Sequence, residues 1–571
     1  MPRKLTTLCV NRIKVLTLVF ALLSLVIFGR LAQIQVFQHK KYSTIANAQH
    51  WIVQDIPAKR GRILSADGAV LATNQDYYLL YAEPKRITDK GQFAKDMADF
   101  LASEERGTSE ELFAKYYDLI DNDLWWIALE RKIDPATKEA VLGLGLDGLG
   151  FELSPQRFYP EGTLAAHLLG FVAMNEKGDR LGYFGIEGGL DGDLHGKCGK
   201  VIQEKDALGN PILSGGYDYM DSISGRDVTL TIERPVQFMV EKELADAVER
   251  YGAASGTVVV MDPLTGSIIA LANYPTFDPS DVTENTKNLA ISETYEPGSV
   301  MKPFTITTGI DLGIINPSST FVDSGPVNYS GHIIDNWDGK HHGVQNIAQL
   351  LQKSNNIGAA WVGHQVGAKN LHKYLTSFGF GQKTGMILEG EDTGIIRDAD
   401  SWTDIDLANI AFGQGISATP LQILNAFNVF ANGGILYRPR IVSQIMSEEK
   451  PIEMRPQKIR KVLSEKKSQV MEELLIGAVA QGESRYFNID GYKVAGKTGT
   501  GQIFIDGDYD PSATNATFVG FLATSKKFSM LVKLERPSAS VFAAETAVPL
   551  WMDLARQLAS YYAIPPDTPL L

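Results

Sequence analysis

A hydroxyl and an amine spaced for one helical turn are the first chemistry this chain offers. Ser299 and Lys302 stand in the run Tyr295-Glu-Pro-Gly-Ser-Val-Met-Lys-Pro-Phe304. If the chain turns into a helix at Ser299, both side chains share one face. A serine hydroxyl is a weak nucleophile at neutral pH and needs a base beside it, and a lysine amine serves once it has lost its proton. The start of a helix also leaves backbone N–H groups without intrahelical partners near the serine, where they can stabilise an oxyanion. Pro303 places that start, because proline is tolerated in a first helical turn and breaks an interior one. The four residues alone are a cheap pattern. Ser464-Glu-Lys-Lys467 repeats it in a charged run that reads as a solvated helix face.

Two further elements follow in order. Ser354-Asn355-Asn356 precedes a helical stretch at 357–366, and Lys497-Thr498-Gly499-Thr500 follows the apolar Val494-Ala-Gly496 as a strand bordering a cleft. A second Lys-Thr-Gly, at Lys383-Thr384-Gly385, sits beside the glycine-rich Phe378-Gly-Phe-Gly381 and reads as a loop. Ser-x-x-Lys, Ser-x-Asn and Lys-Thr-Gly in this order form the signature of the penicillin-recognising serine acyltransferases. Each residue also has a bland reading. Lys302 could be a surface lysine, Ser354 and Asn356 a helix cap, and Thr498 and Thr500 β-favouring strand residues. By alternation Asn355 should point away from the cleft.

From about Arg60 onward the chain resembles the class B penicillin-binding proteins, monofunctional peptidoglycan D,D-transpeptidases. Beyond the three motifs, the resemblance rests on Arg60-Gly-Arg-Ile63 with Asp67-Gly68 and Leu71-Ala72, on Arg157-Phe-Tyr-Pro160, His167-Leu-Leu-Gly170 and Gly185-Ile-Glu-Gly188, and on Met261-Asp-Pro-Leu-Thr-Gly266, Phe412-Gly-Gln-Gly415 and Thr419-Pro-Leu-Gln422. Most of these read as structural, with Arg and Glu as buried ion pairs. The resemblance implies an α+β chain: one N-terminal transmembrane helix, an elongated mixed α/β pedestal module, and a C-terminal transpeptidase domain with an antiparallel sheet flanked by helices plus an all-helical lobe. It implies that Ser299 attacks the penultimate D-alanine carbonyl of a stem peptide, with Lys302 as base. That base must be neutral, which burial and a neighbouring cation, Lys497, would favour. Ser354 would pass a proton to the departing D-alanine, and Asn356 would hold the substrate backbone and orient Lys302. Lys497, Thr498, Gly499 and Thr500 would form the strand that receives the substrate carboxylate. The N–H groups of Ser299 and Thr500 would make the oxyanion hole, worth roughly 3–4 kcal/mol per donor. An amine from a second stem would then take the acyl group. The scheme calls for no metal and no cofactor.

Three rivals follow from the same motifs. A D,D-carboxypeptidase or β-lactamase would let water take the acyl group and would need a positioned base, for which Glu389 and Glu391 are candidates. A non-catalytic penicillin-binding sensor or scaffold would keep the fold alone. An elongation-type enzyme would differ in pathway, but Tyr295-Glu-Pro-Gly-Ser299 looks more like the cell-division type. The expected partners are stem peptides ending in D-Ala-D-Ala, β-lactams, and a SEDS-family glycosyltransferase with other divisome membrane proteins.

Composition is compatible with this and excludes other classes. At 571 residues the chain holds two or three domains, and 44% hydrophobic content suffices for full cores. A net charge of −13 argues against nucleic-acid binding. Two cysteines, Cys9 and Cys198, make no disulfide framework, and the nine histidines form no ligand pattern. The run 15–29 is nearly all apolar and rises roughly 22 Å as a helix. Lys14 and Arg30 can snorkel and 31–36 can continue it, so it reads as an uncleaved anchor, with a signal peptide as the alternative. The expected organisation is a cytoplasmic tail at 1–14, the anchor at 15–36, the pedestal module at 37–224 and the transpeptidase domain at 225–571. The inner-membrane protein would have its N-terminus in the cytoplasm and its catalytic domain outside. Local pattern adds a juxtamembrane helix over 37–55, a helix at 88–101, a turn at Gly209-Asn-Pro211, a strand at 227–232, an amphipathic helix at 235–251 and a hairpin pairing 257–261 with 267–272.

Overall fold

The computed structural model describes residues 3–103, 106–176, 178–206, 212, 215–329, 331–446, 450–505 and 508–567. The turn expected at Gly209-Asn-Pro211 lies outside them. The chain divides into two units, residues 1–59 with 196–224, and residues 60–195 with 225–571.

In the first unit the helix Arg3–Ala32 runs into a π-helical turn, Gln33–Phe37. Arg12–Phe37 is long and apolar enough to cross a bilayer, and none of its most apolar window is buried. The helix His39–His50 follows but stops short of the expected end at 55. Trp51–Ile56 is a strand instead, antiparallel to Gly199–Glu204, which pairs in turn with Tyr217–Met220. The β-favouring Trp51, Ile52, Val53 and Ile56 explain the switch. Their partner lies far along the chain and leaves no local signal.

The second unit is built around a five-stranded antiparallel sheet in the order Ser267–Tyr274, Ser255–Asp262, Ser529–Glu535, Asp508–Leu522, Val494–Ile505. Both faces are covered. Along one strand Val258 and Val260 enter one core while Val259 and Met261 enter the other, and Phe518 and Val519 divide in the same way. This period-two sorting places the helices Arg234–Tyr251 and Ala547–Tyr561 on one face and a helical lobe on the other. The first of these helices buries Val236, Val240, Leu244 and Val248, as its 3.6-residue pattern requires. The lobe also carries two short ladders, Thr320–Asp323 with Gly343–Asn346 and Val327–Tyr329 with His332–Ile334.

At the lobe's centre lies the helix Lys302–Asp311, buried from Lys302 to Ile310. Phe304 anchors it, with its ring 5.0 Å from Phe378, 5.1 Å from Phe380 and 5.3 Å from Phe430. Aromatic packing of this kind fixes the helix, and with it the turn that precedes it.

A second, six-stranded sheet joins remote segments in the order Ile452–Glu453, Val442–Ile445, Val228–Leu230, Ile63–Leu64, Val70–Gln75, Gln156–Phe158. Only the pair Val228–Leu230 with Ile63–Leu64 is parallel. Beside it the carboxylate of Glu187, fully buried, takes Arg60 at 2.6 Å on one oxygen and Arg157 at 2.5 Å on the other. Arg157 also donates to the Gly61 carbonyl at 2.8 Å. Three of the family segments that read as structural in the sequence, at 60–63, 157–160 and 185–188, thus converge on one ion cluster. A third sheet, Ile127–Ile133, Tyr78–Ala82 and Leu149–Leu153, carries the helices Lys90–Leu101 and Ser109–Ile120 over its own small core.

Candidate active site

The site is built from three pieces of chain. The first is the short 3-10 turn Gly298–Met301, which becomes an α-helix at Lys302 with Pro303 in its first turn. Ser299 therefore sits on the tight turn, half-buried, and Lys302 opens the buried helix. The second is the junction between the helices Ile347–Gln352 and Asn356–Val366. Here Ser354 adopts a left-handed backbone, φ 53°, a strained conformation for a residue with a side chain. The third is the edge strand Val494–Ile505.

The strand rides directly against the turn. A Cβ on Gly499 would come within 2.6 Å of the Pro297 carbonyl oxygen, and one on Gly501 within 2.1 Å of the Glu296 oxygen. Glycine at alternate positions permits this approach, while Thr498 and Thr500 face the groove. Gly499 is not among the residues lining the groove and serves the packing of strand on turn.

Two amines meet at one hydroxyl. Lys302, with no exposed surface, points Nζ at the Ser354 carbonyl oxygen, at Asn356 Oδ1 (2.8 Å) and at Ser354 Oγ (3.2 Å). Lys497, also buried, reaches Ser354 Oγ from the other side at 3.0 Å, Thr498 Oγ1 at 2.9 Å and the Thr498 carbonyl at 3.3 Å. Burial holds the Lys302 amine well below the ordinary lysine range, and the neighbouring Lys497 pushes it further down. Burial lowers Lys497 as well, and the carboxylate of Glu483 opposes the shift at both.

Asn356 donates to the Asp335 carbonyl at 2.9 Å, which fixes its amide with Oδ1 toward Lys302. The helix cap expected of Ser354 or Asn356 is supplied by Asn355 instead, which accepts from Gly358 N at 2.6 Å. Its amide nitrogen donates to Asp323 at 2.7 Å, so it turns away from the groove as the alternation requires.

Ser299, Ser354, Asn356, Thr498 and Thr500 line one groove of about 450 Å³, whose wall includes Trp337 and Phe542 with ring centroids 5.6 Å apart. Lys302 and Lys497 lie behind it. Glu389 and Glu391 are not among its lining residues. Glu391 accepts from the backbone of Thr384 (2.7 Å) and Gly385 (3.2 Å), holding the second Lys-Thr-Gly as a loop, and Glu389 is exposed. Ser464 caps the helix Glu465–Gln481, and Lys467, half-buried, donates to the Ile310 carbonyl at 2.5 Å rather than standing free in solvent.

Several groove residues, Trp337, Phe542 and Glu483 among them, have no signal in the sequence. Glu483, in a polar stretch before the edge strand, accepts from Thr498 Oγ1 at 3.2 Å. Nothing in its local pattern distinguishes it from a surface acid.

A sheet covered by helices on both faces, with a serine turn, a buried lysine and a Lys-Thr-Gly edge strand around one groove, defines a penicillin-recognising serine acyltransferase fold. The chain belongs to the penicillin-binding protein family. Residues 256–552 match the penicillin-binding protein transpeptidase domain and residues 55–230 the penicillin-binding protein dimerisation domain. It is 31% identical over 543 residues to stage V sporulation protein D of Bacillus subtilis, covering 93% of this chain and 83% of the relative. It is 28% identical to the peptidoglycan D,D-transpeptidase FtsI of Escherichia coli, covering 90% of this chain and 86% of that one. Among solved structures, penicillin-binding protein 3 of Mycobacterium tuberculosis complexed with aztreonam superposes with a TM-score of 0.69 at 25% identity, covering 91% of this chain and 99% of that one.

Proposed function

We propose that this protein is a peptidoglycan D,D-transpeptidase that works through a Ser299 acyl-enzyme and is acylated by β-lactams at the same hydroxyl. The observation that carries the reading is Ser354 Oγ held between the Lys302 and Lys497 amines at 3.2 and 3.0 Å, in the groove that Ser299 lines. Ser299 Oγ bonds to the carbonyl carbon of the penultimate D-alanine as its proton passes to the neutral Lys302 amine. The C–N bond to the terminal D-alanine then breaks. The leaving nitrogen takes the Ser354 proton, Lys302 returns one to Ser354, and the amine is neutral again. An amine from a second stem next attacks the ester, its proton moves back to the Ser299 oxygen, and the cross-link is made. Asn356, Lys497, Thr498 and Thr500 hold the donor stem.

The position of both candidate hydrolytic carboxylates away from the groove wall supports amine over water as the acceptor. We assign the N-terminal helix as a membrane anchor with the catalytic domain outside, and the pathway as septal, from the likeness of Tyr295-Glu-Pro-Gly-Ser299 to the division type. A SEDS-family glycosyltransferase is the expected partner.

Intact-mass analysis with a penicillin, followed by peptide mapping, tests the chemistry. A stable adduct on Ser299 that is lost in Ser299→Ala is expected, and an adduct mapped elsewhere overturns the reading. Depletion tests the pathway: filaments support septal synthesis, and round cells would replace it with elongation.

A further inference from the structure

Building on the acyl-enzyme reading, we propose that Glu483 is a positioning residue that keeps the shared proton of the amine pair on Lys497 and so leaves Lys302 free to act as base. The argument is one of hydrogen-bond direction. Thr498 Oγ1 carries one hydrogen and has two polar neighbours, the Glu483 carboxylate at 3.2 Å and the Lys497 amine at 2.9 Å. A carboxylate can only accept. The threonine hydrogen therefore goes to Glu483, and Lys497 must donate to the threonine oxygen. With three hydrogens, a charged Lys497 satisfies Thr498 Oγ1, the Thr498 carbonyl and Ser354 Oγ together. Ser354, accepting from Lys497, can turn its own hydrogen to Lys302. Lys302 in turn has two neighbours that only accept through oxygen, the Ser354 carbonyl and Asn356 Oδ1, which are met by the two hydrogens of a neutral amine. Its lone pair carries no proton, and the nitrogen rests 3.2 Å from the Ser354 hydroxyl, from which it turns to take the Ser299 proton. Every hydrogen in the network finds an acceptor with one proton placed on Lys497 and none in excess on Lys302.

Reversing Thr498 reverses the chain. A side chain at 483 that donates to Thr498 would turn the threonine hydrogen toward Lys497, which then favours the neutral form, and would leave Lys302 the better place for the proton.

On the helix Glu465–Gln481, packed against the edge strand, Lys467 donates to the Ile310 carbonyl, Glu472 pairs with Lys526 at 2.7 Å, and Glu465, Lys466 and Glu473 are exposed. Glu296, before the serine turn, accepts from Gly415 N at 2.9 Å and Tyr509 at 3.0 Å. Asp335, on the groove wall, accepts from Asn336 N at 2.7 Å. Arg485, on the same turn as Glu483, stacks on Tyr486 at 4.5 Å. Glu545, on the turn packed against the edge strand, accepts from Ser540 at 2.6 Å, and Asp553 and Arg556 on the last helix pair with each other at 2.7 Å. The charge of Glu483 raises the proton affinity of both lysines, so it is the direction of the Thr498 hydrogen bond, and not charge alone, that places the proton on Lys497.

The test is the pH profile of the second-order rate of Ser299 acylation by a fluorescent penicillin, measured on the full chain in detergent for the wild type, Glu483→Gln, Glu483→Ser and Glu483→Asp. Both charge-removing variants should show a maximum lowered about tenfold and an alkaline limb moved about one pH unit lower, since one unit corresponds to a tenfold change in proton affinity. Glu483→Asp should lie close to the wild type in both respects. If Glu483→Gln does not fold, Glu483→Ser carries the same expectation. A charge-removing variant whose profile falls uniformly without moving, or overlays the wild type, overturns the proposal and leaves the transpeptidase reading standing. A wild type that is not acylated at Ser299 sinks that reading itself.

Discussion

Gly499→Ala tests whether the strand and the serine turn form one rigid unit. The added methyl would lie 2.6 Å from the Pro297 carbonyl oxygen and 2.7 Å from Val300 Cγ2. Ordinary contact begins near 3.4 Å, so strand and turn must part by about 0.8 Å, the difference between 3.4 and 2.6. Neither side yields easily. The turn is continuous with a fully buried helix, and the strand is hydrogen-bonded into the five-stranded sheet. The displacement separates Ser299 from Thr498 and Thr500, and a misplacement of that size costs on the order of 10²-fold in rate. Overpacking should also lower stability by about 1–3 kcal/mol. The assay is the second-order rate of acylation by a fluorescent penicillin, corrected for folded protein by thermal unfolding. Gly477→Ala is the control. It lies in the helix Glu465–Gln481 with only Gln352 Nε2 near its Cβ, at 3.6 Å, and should gain up to about 1 kcal/mol with no change in rate. Wild-type acylation by the folded fraction of Gly499→Ala would refute the reasoning.

Lys302→Met should lower the acylation rate by about 10²–10⁴-fold, the usual worth of a positioned base, in the same labelling assay. Because folding depresses the Lys302 amine, the unfolded chain binds more protons than the folded one between that depressed value and the ordinary lysine value of about 10.4. Stability from this group therefore rises with pH through that window. Thermal midpoints measured across pH should show the rise flattened in Lys302→Met. Glu187→Gln should cost about 3–5 kcal/mol in chemical denaturation, because two buried arginines lose their shared carboxylate. Glu391→Gln should disturb the loop at Thr384 and leave adduct lifetime unchanged, as followed by intact mass. A longer-lived adduct would return Glu391 to consideration as a hydrolytic base.

The groove was legible in the sequence because its parts are chemically distinctive and their order is informative. Ser299, Lys302, Ser354, Asn356, Lys497, Thr498 and Thr500 each belong to a motif, and the fold brings them together or directly behind the groove wall. Of the decoy motifs, the glycine-rich turn marks Lys383-Thr-Gly385 as a loop, whereas the charged run at 464–467 suggests a solvated face that the structure gives only in part, since Lys467 is half-buried on the Ile310 carbonyl. Glu483 was not legible, since its role depends on a hydroxyl that only the folded strand brings within 3.2 Å. The motif puts Gly499 in the binding strand, but the packing of strand on turn explains it. The helix expected over 37–55 ended early because the partner of Trp51–Ile56 comes from residues 199–204. The six-stranded sheet was legible only in part: alternation at 227–232 marks the strand Val228–Leu230, shorter than expected, while Ile63–Leu64 is too short to show a period and the neighbours of both are remote.

That sheet also sets a schedule for the nascent chain. Val228–Leu230 receives its antiparallel neighbour from Val442–Ile445, so until more than two hundred further residues have been made one of its edges has nothing to bond. Ribosomes deliver chain at roughly 5–20 residues per second, which leaves that edge open for on the order of ten seconds or more. Unpaired edges invite strand addition from other chains. Maturation should thus be most sensitive to holding chaperones during this interval, and truncations ending before residue 442 should aggregate rather than accumulate as soluble fragments.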